Sequence, residues 1–185
     1  MRVGIDLDGT VTQTIELWVE HLQGFSAEDM KPEFRGAPAH VDAWYAKHQK
    51  ILRHSYKPYP GAIAILSLIQ EPIVITARNT DNAACPATLV WMHKHHLRHV
   101  PLVHATDKVA ACKEYDVQIH IEDNPAHALA LANAGVRVLL KDQPYNTEVT
   151  HKNITRFTHW LEVPRILKKH HEHRNRHRQH YRKHL

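Results

Sequence analysis

The chain has 185 residues, of which 43% are hydrophobic and 23% charged, a composition typical of one globular domain with a buried core. No apolar run reaches the length that a membrane-spanning helix needs. The first strand pattern begins at the N-terminus, so we expect no secretory signal. Cys85 and Cys112 form no metal-binding or disulfide pattern, and we interpret them as reduced, buried thiols of a cytoplasmic protein.

The net charge of +5 is concentrated in one segment. Residues 168–185 contain seven of the 24 Lys and Arg residues and one of the 19 acidic residues. The rest of the chain therefore contains 17 basic and 18 acidic residues, which nearly balance. This distribution indicates a basic tail and excludes a nucleic-acid-binding face spread over the domain itself.

Short β-branched segments alternate with helical patterns along the chain. Strands are predicted at 2–6, 72–76, 100–104, 117–123 and 136–140, and helices at 61–70, 80–97, 107–115 and 125–133. This alternation indicates βαβ units, and hence an α/β fold with a Rossmann-like, mostly parallel sheet. Right-handed crossovers in such a fold bring the carboxyl ends of the strands to one edge, where ligands bind.

Residues 14–58 interrupt the alternation, because they contain aromatic residues in helical patterns and no strand pattern. We predict that they form a small helical cap inserted after the first strand. The predicted organisation is a core domain of residues 1–13 and 59–167, the cap of residues 14–58, and a basic tail of residues 168–185.

A mostly polar set of residues lies at the carboxyl ends of the predicted strands and at the start of one helix. They are Asp6 and Asp8, then Thr76, Ala77 and Arg78, then Lys108, and finally Glu122 and Asp123. Carboxylates that meet at a sheet edge are suitable ligands for Mg²⁺. One aspartate can attack phosphorus and form an aspartyl-phosphate, while a second exchanges protons with the leaving oxygen and with water. The hydroxyl and the ammonium can neutralise phosphoryl oxygens, so the pattern predicts phosphoryl transfer.

Four short motifs carry a resemblance to a known family. DLDGT (6–10), ITAR (75–78), Lys108 at a helix start and IEDN (121–124) resemble, in order, the motifs of the haloacid dehalogenase (HAD) superfamily. The first motif has an aspartate at position 8, and in this respect it resembles the motif of the superfamily's phosphatases and phosphomutases rather than that of its dehalogenases. The short cap, ITAR and EDN…PYN together resemble the 5′(3′)-deoxyribonucleotidase branch. The resemblance implies a HAD-type fold and Mg²⁺-dependent hydrolysis of a small phosphomonoester, expected to be a nucleoside monophosphate.

The resemblance also implies a role for each motif residue. Asp6 would be the nucleophile and Asp8 the general acid and base. Thr76 would hydrogen-bond the transferring phosphoryl group, and Lys108 would stabilise its charge. Mg²⁺ would be held by the carboxylates of Asp6 and Asp123 and by the backbone carbonyl of Asp8.

Other positions have several interpretations. Glu122 departs from the Asp-Asp pair of the deoxyribonucleotidases, and its longer side chain could reach the metal through a water molecule. Arg78 could bind a substrate phosphate or pair with Glu122. In the cap, Trp44 and Tyr45 could stack on a nucleobase or pack the core of the cap. Substrate contacts are also expected at Gly9, where the backbone can approach a phosphate closely, and at Thr10 and Ala77.

Alternative functions stay open on the sequence. A DxD motif also occurs in metal-dependent glycosyltransferases, but that interpretation does not account for Thr76, Lys108 and Asp123. The substrate could instead be another small ester or a nucleic-acid end recruited by the tail, or the chain could be a non-catalytic phosphate- or metal-binding module. The tail itself could bind Zn²⁺ or Ni²⁺ through His173, His177, His180 and His184, or polyanions through Arg174, Arg178 and Arg182.

Overall fold

The computed structural model describes residues 1–21, 25–27, 56–78 and 84–182, with the backbone alone at residues 84–85 and 173–182. Most of the predicted cap, including Trp44 and Tyr45, and the side chain of Cys85 lie outside the described residues. The proposed domain boundaries therefore stay predictions.

The described chain contains one six-stranded sheet in the order β3-β2-β1-β4-β5-β6, in which every neighbouring pair is parallel. The strands are β1 Arg2–Ile5, β2 Glu71–Thr76, β3 Leu102–His104, β4 Ile119–Glu122, β5 Arg137–Lys141 and β6 Ile154–Phe157. The predicted α/β, Rossmann-like fold is confirmed. The strand β6 adds to the five that the sequence predicts.

Helices connect the strands and cover both faces of the sheet. They are α1 Thr14–His21, α2 Ala62–Leu68, α3 Ala84–Lys94, α4 Lys108–Glu114, α5 Pro125–Asn133 and α6 Val163–Arg182, with 3₁₀ turns at Pro144–Asn146 and Trp160–Glu162. Two helices begin on side-chain caps beside the sheet edge. Asp107 accepts a hydrogen bond from the Ala110 amide at 2.9 Å, and Asn124 accepts from the amides of Ala126 and His127, which fixes where α4 and α5 start.

Two apolar clusters flank the sheet because successive strand residues point to opposite faces. One cluster contains Ile5, Ile121, Trp91, Trp160 and Val163. The other contains Ile75, Ala111, Cys112, Ala128, Leu131 and Leu140 from the face under α4 and α5, and Cys112 is a free, buried thiol. This alternation directs Ile119 and Ile121 to the first cluster, so that His120 and Glu122 lie on the other face.

The chain leaves the core after β1 and returns beside its point of departure. The Gln13 amide donates to the Lys57 carbonyl, and the Tyr59 amide donates to the Val11 carbonyl, each at 2.8 Å. At the other end of the chain, α6 continues without a break across residue 168, where the basic tail is predicted to begin. No helix of the described residues combines the length and the apolar character required to cross a membrane.

Candidate active site

The carboxyl edge of the sheet brings together most of the predicted site residues. Asp6 follows β1, Glu122 ends β4 and Asp123 follows it, while Lys108 is the first residue of α4. The Lys108 ammonium lies 2.7 Å from Asp6 Oδ1 and 2.7 Å from Glu122 Oε2. Its side chain is 2% exposed, so the ammonium bridges two carboxylates inside the protein.

Three carboxylates at this edge form a candidate metal centre. Asp6, Glu122 and Asp123 are all buried, and each offers an oxygen within 4.8 Å of the other two. Lys108 supplies one positive charge to this group, which leaves an excess of buried negative charge that is costly without a cation. An all-oxygen donor set with this charge fits Mg²⁺, which prefers carboxylate ligands.

The pKa values of the four groups reflect this arrangement. Burial raises the pKa of Asp6 well above its ordinary value, against the opposing effect of Lys108. Burial, together with the charge of Glu122, raises the pKa of Asp123 to about 7. Burial alone would also raise the pKa of Glu122, but Lys108 and then His120 hold it below its ordinary value. Burial disfavours the Lys108 ammonium, yet Asp6 and Glu122 raise its pKa, so that it stays charged.

Hydrogen bonds from two other segments of the chain hold Asp123 in place. The Thr10 hydroxyl donates to Asp123 Oδ1 at 2.6 Å, and the Tyr145 hydroxyl donates to Oδ2. Asn146 Nδ2 donates to the Asp123 carbonyl at 2.7 Å. Thr10, which the sequence predicts as a substrate contact, is fully buried and supports the carboxylate of Asp123.

Gly9 is required by close packing against the same carboxylate. Its φ is 75°, and a Cβ atom there would lie 2.8 Å from Asp123 Cγ and 2.8 Å from Tyr145 Oη. The Gly9 amide itself donates to the Thr12 carbonyl at 3.0 Å. The close approach that the sequence predicts at Gly9 is therefore an approach to Asp123 within the protein.

Asp8 lies opposite an arginine. Its carboxylate accepts hydrogen bonds from Arg78 Nε and Nη2, both at 2.6 Å, and from the Thr14 hydroxyl at 2.8 Å. The Arg78 side chain is 2% exposed and that of Asp8 32%. Arg78 Nη1 also donates to Thr88 at 3.1 Å, and its guanidinium carbon lies 5.3 Å from the ring centre of Tyr56. Arg78 thus pairs with Asp8, whereas the partner of Glu122 is Lys108.

Thr76 and Ala77 complete the edge after β2. Thr76 is 1% exposed, and its hydroxyl oxygen accepts a hydrogen bond from the Arg78 amide at 3.3 Å. The hydroxyl proton is therefore left to donate elsewhere. Ala77, which is partly buried, separates Thr76 from Arg78.

Several residues at the edge were not assigned a role from the sequence. Tyr145 and Asn146 support Asp123, whereas the sequence indicates their segment, PYN, only through its resemblance to the deoxyribonucleotidases. His120 is fully buried, with Nε2 3.3 Å from Glu122 Oε2, and burial lowers its pKa so that it is neutral. A side chain at Gly4, which pairs with His120 across β1 and β4, would meet the imidazole ring. A glycine inside a strand is the one sequence signal for such a close neighbour.

No protein-family model matches the chain, but individual proteins do. It is 29% identical over 189 residues to a provisionally named nucleotidase of Bacillus subtilis, covering 92% of this chain and 96% of that one. It is 26% identical to a nucleotidase of Clostridium acetobutylicum, covering 90% of this chain and 93% of the relative.

Solved structures share the fold. A hydrolase from Pseudomonas syringae has a TM-score of 0.61 at 14% identity, covering 91% of this chain and 99% of that chain. A HAD family hydrolase from Deinococcus radiodurans, solved with bound phosphate and sodium, has a TM-score of 0.57 at 11% identity. The match covers 91% of this chain and 95% of that chain. These two likenesses concern the arrangement of the helices and strands.

Proposed function

We propose that this chain, a phosphatase of the HAD superfamily, is a Mg²⁺-dependent nucleotidase that hydrolyses (deoxy)nucleoside monophosphates through an aspartyl-phosphate. The observation that carries the proposal is the buried contact of Asp6 with Lys108 beside Asp123. A carboxylate in that position combines a nucleophile, a metal ligand and a neighbouring positive charge in one site.

The carboxylates of Asp6 and Asp123 would hold Mg²⁺ together with the backbone carbonyl of Asp8. When bound, the ion would neutralise phosphoryl oxygens and orient the phosphate for in-line attack. Glu122 contributes charge to this centre, while its own oxygens accept hydrogen bonds from Lys108 at 2.7 Å and from the Asn124 amide at 3.0 Å. We therefore assign Glu122 to the orientation of Lys108 rather than to direct metal contact.

Asp6 begins the reaction by attacking phosphorus with one carboxylate oxygen. The new bond forms an aspartyl-phosphate as the bond from phosphorus to the ester oxygen breaks, and the leaving alkoxide takes a proton from Asp8. In the second half, Asp8 accepts a proton from water as that water attacks the phosphorus. The bond to Asp6 then breaks, which releases inorganic phosphate and restores the Asp6 carboxylate and the protonated Asp8.

Lys108 and Thr76 act on the charge of the phosphoryl group. The ammonium next to Asp6 and the hydroxyl at the end of β2 would each contact an equatorial oxygen, whose charge grows in the transition state. Both groups are buried and held in place before substrate arrives, so that little reorganisation is needed.

Arg78 acts on Asp8 in this proposal. Its two hydrogen bonds fix the plane of the Asp8 carboxyl group. A fixed orientation serves both proton transfers of Asp8, to the leaving oxygen and from the attacking water. We therefore propose that Arg78 positions Asp8, in place of the two contacts that the sequence left open for it, a substrate phosphate or Glu122.

The nucleotide substrate is supported by the names of the relatives. Recognition of the base would fall to the cap, where stacking on Trp44 or Tyr45 stays a hypothesis. A cytoplasmic location likewise stays a prediction from the use of cysteine.

The direct test is phosphate release from a panel of 5′- and 3′-nucleotides, deoxynucleotides and sugar phosphates, with Mg²⁺ and with EDTA. We expect turnover of nucleoside monophosphates that requires Mg²⁺ and is abolished in Asp6→Asn and in Asp6→Ala, which cannot revert by deamidation. Asp116→Asn is the matched control, because Asp116 is exposed and has a φ of 52° that asparagine tolerates.

Each alternative has its own result. Faster turnover of sugar phosphates than of nucleotides would identify a phosphatase of another small ester. Phosphate binding without turnover of any substrate would identify a non-catalytic module. Turnover that persists in Asp6→Ala would contradict the proposed nucleophile.

A further inference from the structure

We propose that the part of α6 beyond His171 is an anchor for nucleic acid, placed at the pole of the molecule opposite the active site. We call residues 172–182 the C-terminal extension. This inference concerns a second surface and does not depend on the substrate of the active site.

The placement follows from the contacts of α6 along its length. The helix starts beside Trp160, whose indole nitrogen donates to the carbonyl of Thr10 at 3.0 Å, at the catalytic edge. Further along, His170 Nδ1 lies 2.8 Å from Nη1 of Arg137, the first residue of β5. His171 lines a groove of about 380 Å³ with Met1, which precedes β1. By residues 170–171, α6 has therefore reached the amino edge of the sheet.

The extension continues away from the active site. The helix is anchored in the core by Val163 and Ile166, which are 0% and 8% exposed, and it runs without a break to Arg182. At about 1.5 Å per residue, the eleven residues of the extension reach roughly 16 Å beyond the amino edge. The helix of the extension thus leads away from Asp6, and we do not assign its basic residues to the phosphate of a substrate in the same molecule.

The composition of the extension identifies the chemistry of its partner. Its sequence, EHRNRHRQHYR, contains four arginines, three histidines, one acidic residue and no aliphatic residue. A helix that lies on a membrane or in a coiled coil needs an apolar face, and the extension has no residues to form one. The planar guanidinium of arginine suits phosphate groups. Charge complementarity therefore favours the phosphate backbone of a nucleic acid.

The surrounding charges agree with this assignment. Lys168 and Lys169 precede the extension in the same helix, whereas the chain outside residues 168–185 has nearly equal numbers of acidic and basic residues. The strongest positive charge density of the sequence therefore lies at this end of the chain. We expect it to bind phosphates without regard to base sequence.

The test uses the full chain and fluorescein-labelled nucleic acids, a 20-base-pair DNA duplex and a 20-nucleotide poly(U) RNA, in EDTA so that hydrolysis is prevented. One variant replaces Arg174, Arg176, Arg178 and Arg182 by glutamine. A control variant, with the same change in charge, replaces the exposed residues Lys94, Arg98, Lys113 and Lys152 by glutamine. Binding is measured by fluorescence anisotropy from low to physiological salt.

We expect the extension variant to bind at least about tenfold more weakly. The plot of log K against log salt should lose about 0.9 of slope for each phosphate contact removed on duplex DNA. The control variant should bind within about twofold of the wild-type chain. Hydrolysis of mononucleotides by the extension variant should be unchanged.

Three results would overturn the proposal. Binding could be unchanged in the extension variant, or it could fall equally in both variants, which would indicate general electrostatics. Binding to phosphatidylserine vesicles but not to nucleic acid would identify a membrane surface instead. Because binding is measured without turnover, failure of the anchor proposal and failure of the proposed nucleotidase activity are distinguishable.

Discussion

At the scale of single residues, the pair of Asp8 and Arg78 makes a prediction about coupling. If Arg78 acts through Asp8, its loss should add little once Asp8 cannot exchange protons. We expect Asp8→Asn to lower kcat by about 10²- to 10⁴-fold, in the range of general acid-base catalysis. The double variant Asp8→Asn/Arg78→Gln should lose no more than about threefold beyond that. Steady-state kinetics on the wild type, the two single variants and the double variant measures the coupling between Asp8 and Arg78 directly.

Arg78→Lys distinguishes positioning from charge alone. Lysine keeps the positive charge but cannot form the two parallel hydrogen bonds, so we expect a kcat between those of wild type and Arg78→Gln. If Arg78 instead contacts substrate phosphate, the two single losses would multiply in the double variant. In that case KM and the inhibition constant of phosphate would also rise.

Variants at two glycines distinguish the effect of backbone strain from an effect on the candidate metal site. Gly9→Ala and Gly135→Ala both place a side chain at positive φ, 75° and 89°, which costs roughly 1–2 kcal/mol of unfolding free energy. A Cβ at Gly9 would press on Asp123 and Tyr145, whereas a Cβ at Gly135 would meet nothing within 4 Å. We expect both variants to be destabilised in urea, but only Gly9→Ala to need more Mg²⁺ for half-maximal activity.

The outcome for Gly135→Ala is the internal reference. Equal Mg²⁺ requirements in the two glycine variants would show that Asp123 moves freely, and that its packing against Gly9 does not fix the metal ligand.

At the scale of elements, the loop after β5 links β6 to the candidate metal centre. Arg156 in β6 donates to the Asn146 carbonyl at 3.0 Å, to Asn146 Oδ1 at 2.9 Å and to the Val149 carbonyl at 3.2 Å. Asn146 in turn contacts Asp123. We expect Arg156→Gln to weaken Mg²⁺ affinity by about threefold to tenfold, measured by isothermal titration calorimetry. The exposed Lys152→Gln, in the segment before β6, should leave it unchanged, and equal affinities in all three proteins would refute this link.

The elements also show what the sequence could and could not predict. Asp6, Lys108 and Asp123 were predictable because apolar strands end directly before Asp6 and before the acidic pair, and a helix starts at Lys108. The strand β6 lacks a strong apolar pattern, since Arg156 lies in its middle and serves the loop. Most of α6 has no apolar periodicity in its sequence, and among its described side chains those buried in the core, Val163 and Ile166, lie in the first turn.

The hydrogen-bonding partners of the site residues were harder to predict from the sequence than the positions of those residues in the fold. The sequence placed Arg78 at the edge, but Asp8, Glu122 and a substrate phosphate were all within reach of so long a side chain. The support of Asp123 by Tyr145 depends on a loop that returns 22 residues later in the chain, and no local pattern indicates that contact.

At the scale of the whole molecule, the buried carboxylates couple metal, pH and stability. Burial raises the pKa of Asp123 to about 7, whereas an unfolded aspartate has a pKa of about 3.9. Between these values the folded state binds a proton that the unfolded state does not, so the contribution of Asp123 to the free energy of unfolding falls as pH rises. Without metal, Asp123→Asn should therefore melt at least as high as wild type at pH 8, and this advantage should shrink towards pH 5.

Saturating Mg²⁺ should reverse the order at pH 8. A ligand at 100 times its Kd stabilises the folded state by about 2.7 kcal/mol, and Asp123→Asn lacks a carboxylate needed to bind it. Differential scanning fluorimetry with EDTA and with Mg²⁺ gives the melting temperatures of wild type and Asp123→Asn in both conditions. The control variant Asp116→Asn should melt as the wild type does in each of them. A wild-type Tm unaffected by Mg²⁺, or an Asp123→Asn variant that melts lower in EDTA at pH 8, would contradict the assignment. The reversal follows because the same excess negative charge that costs stability in the metal-free protein creates the affinity for the ion.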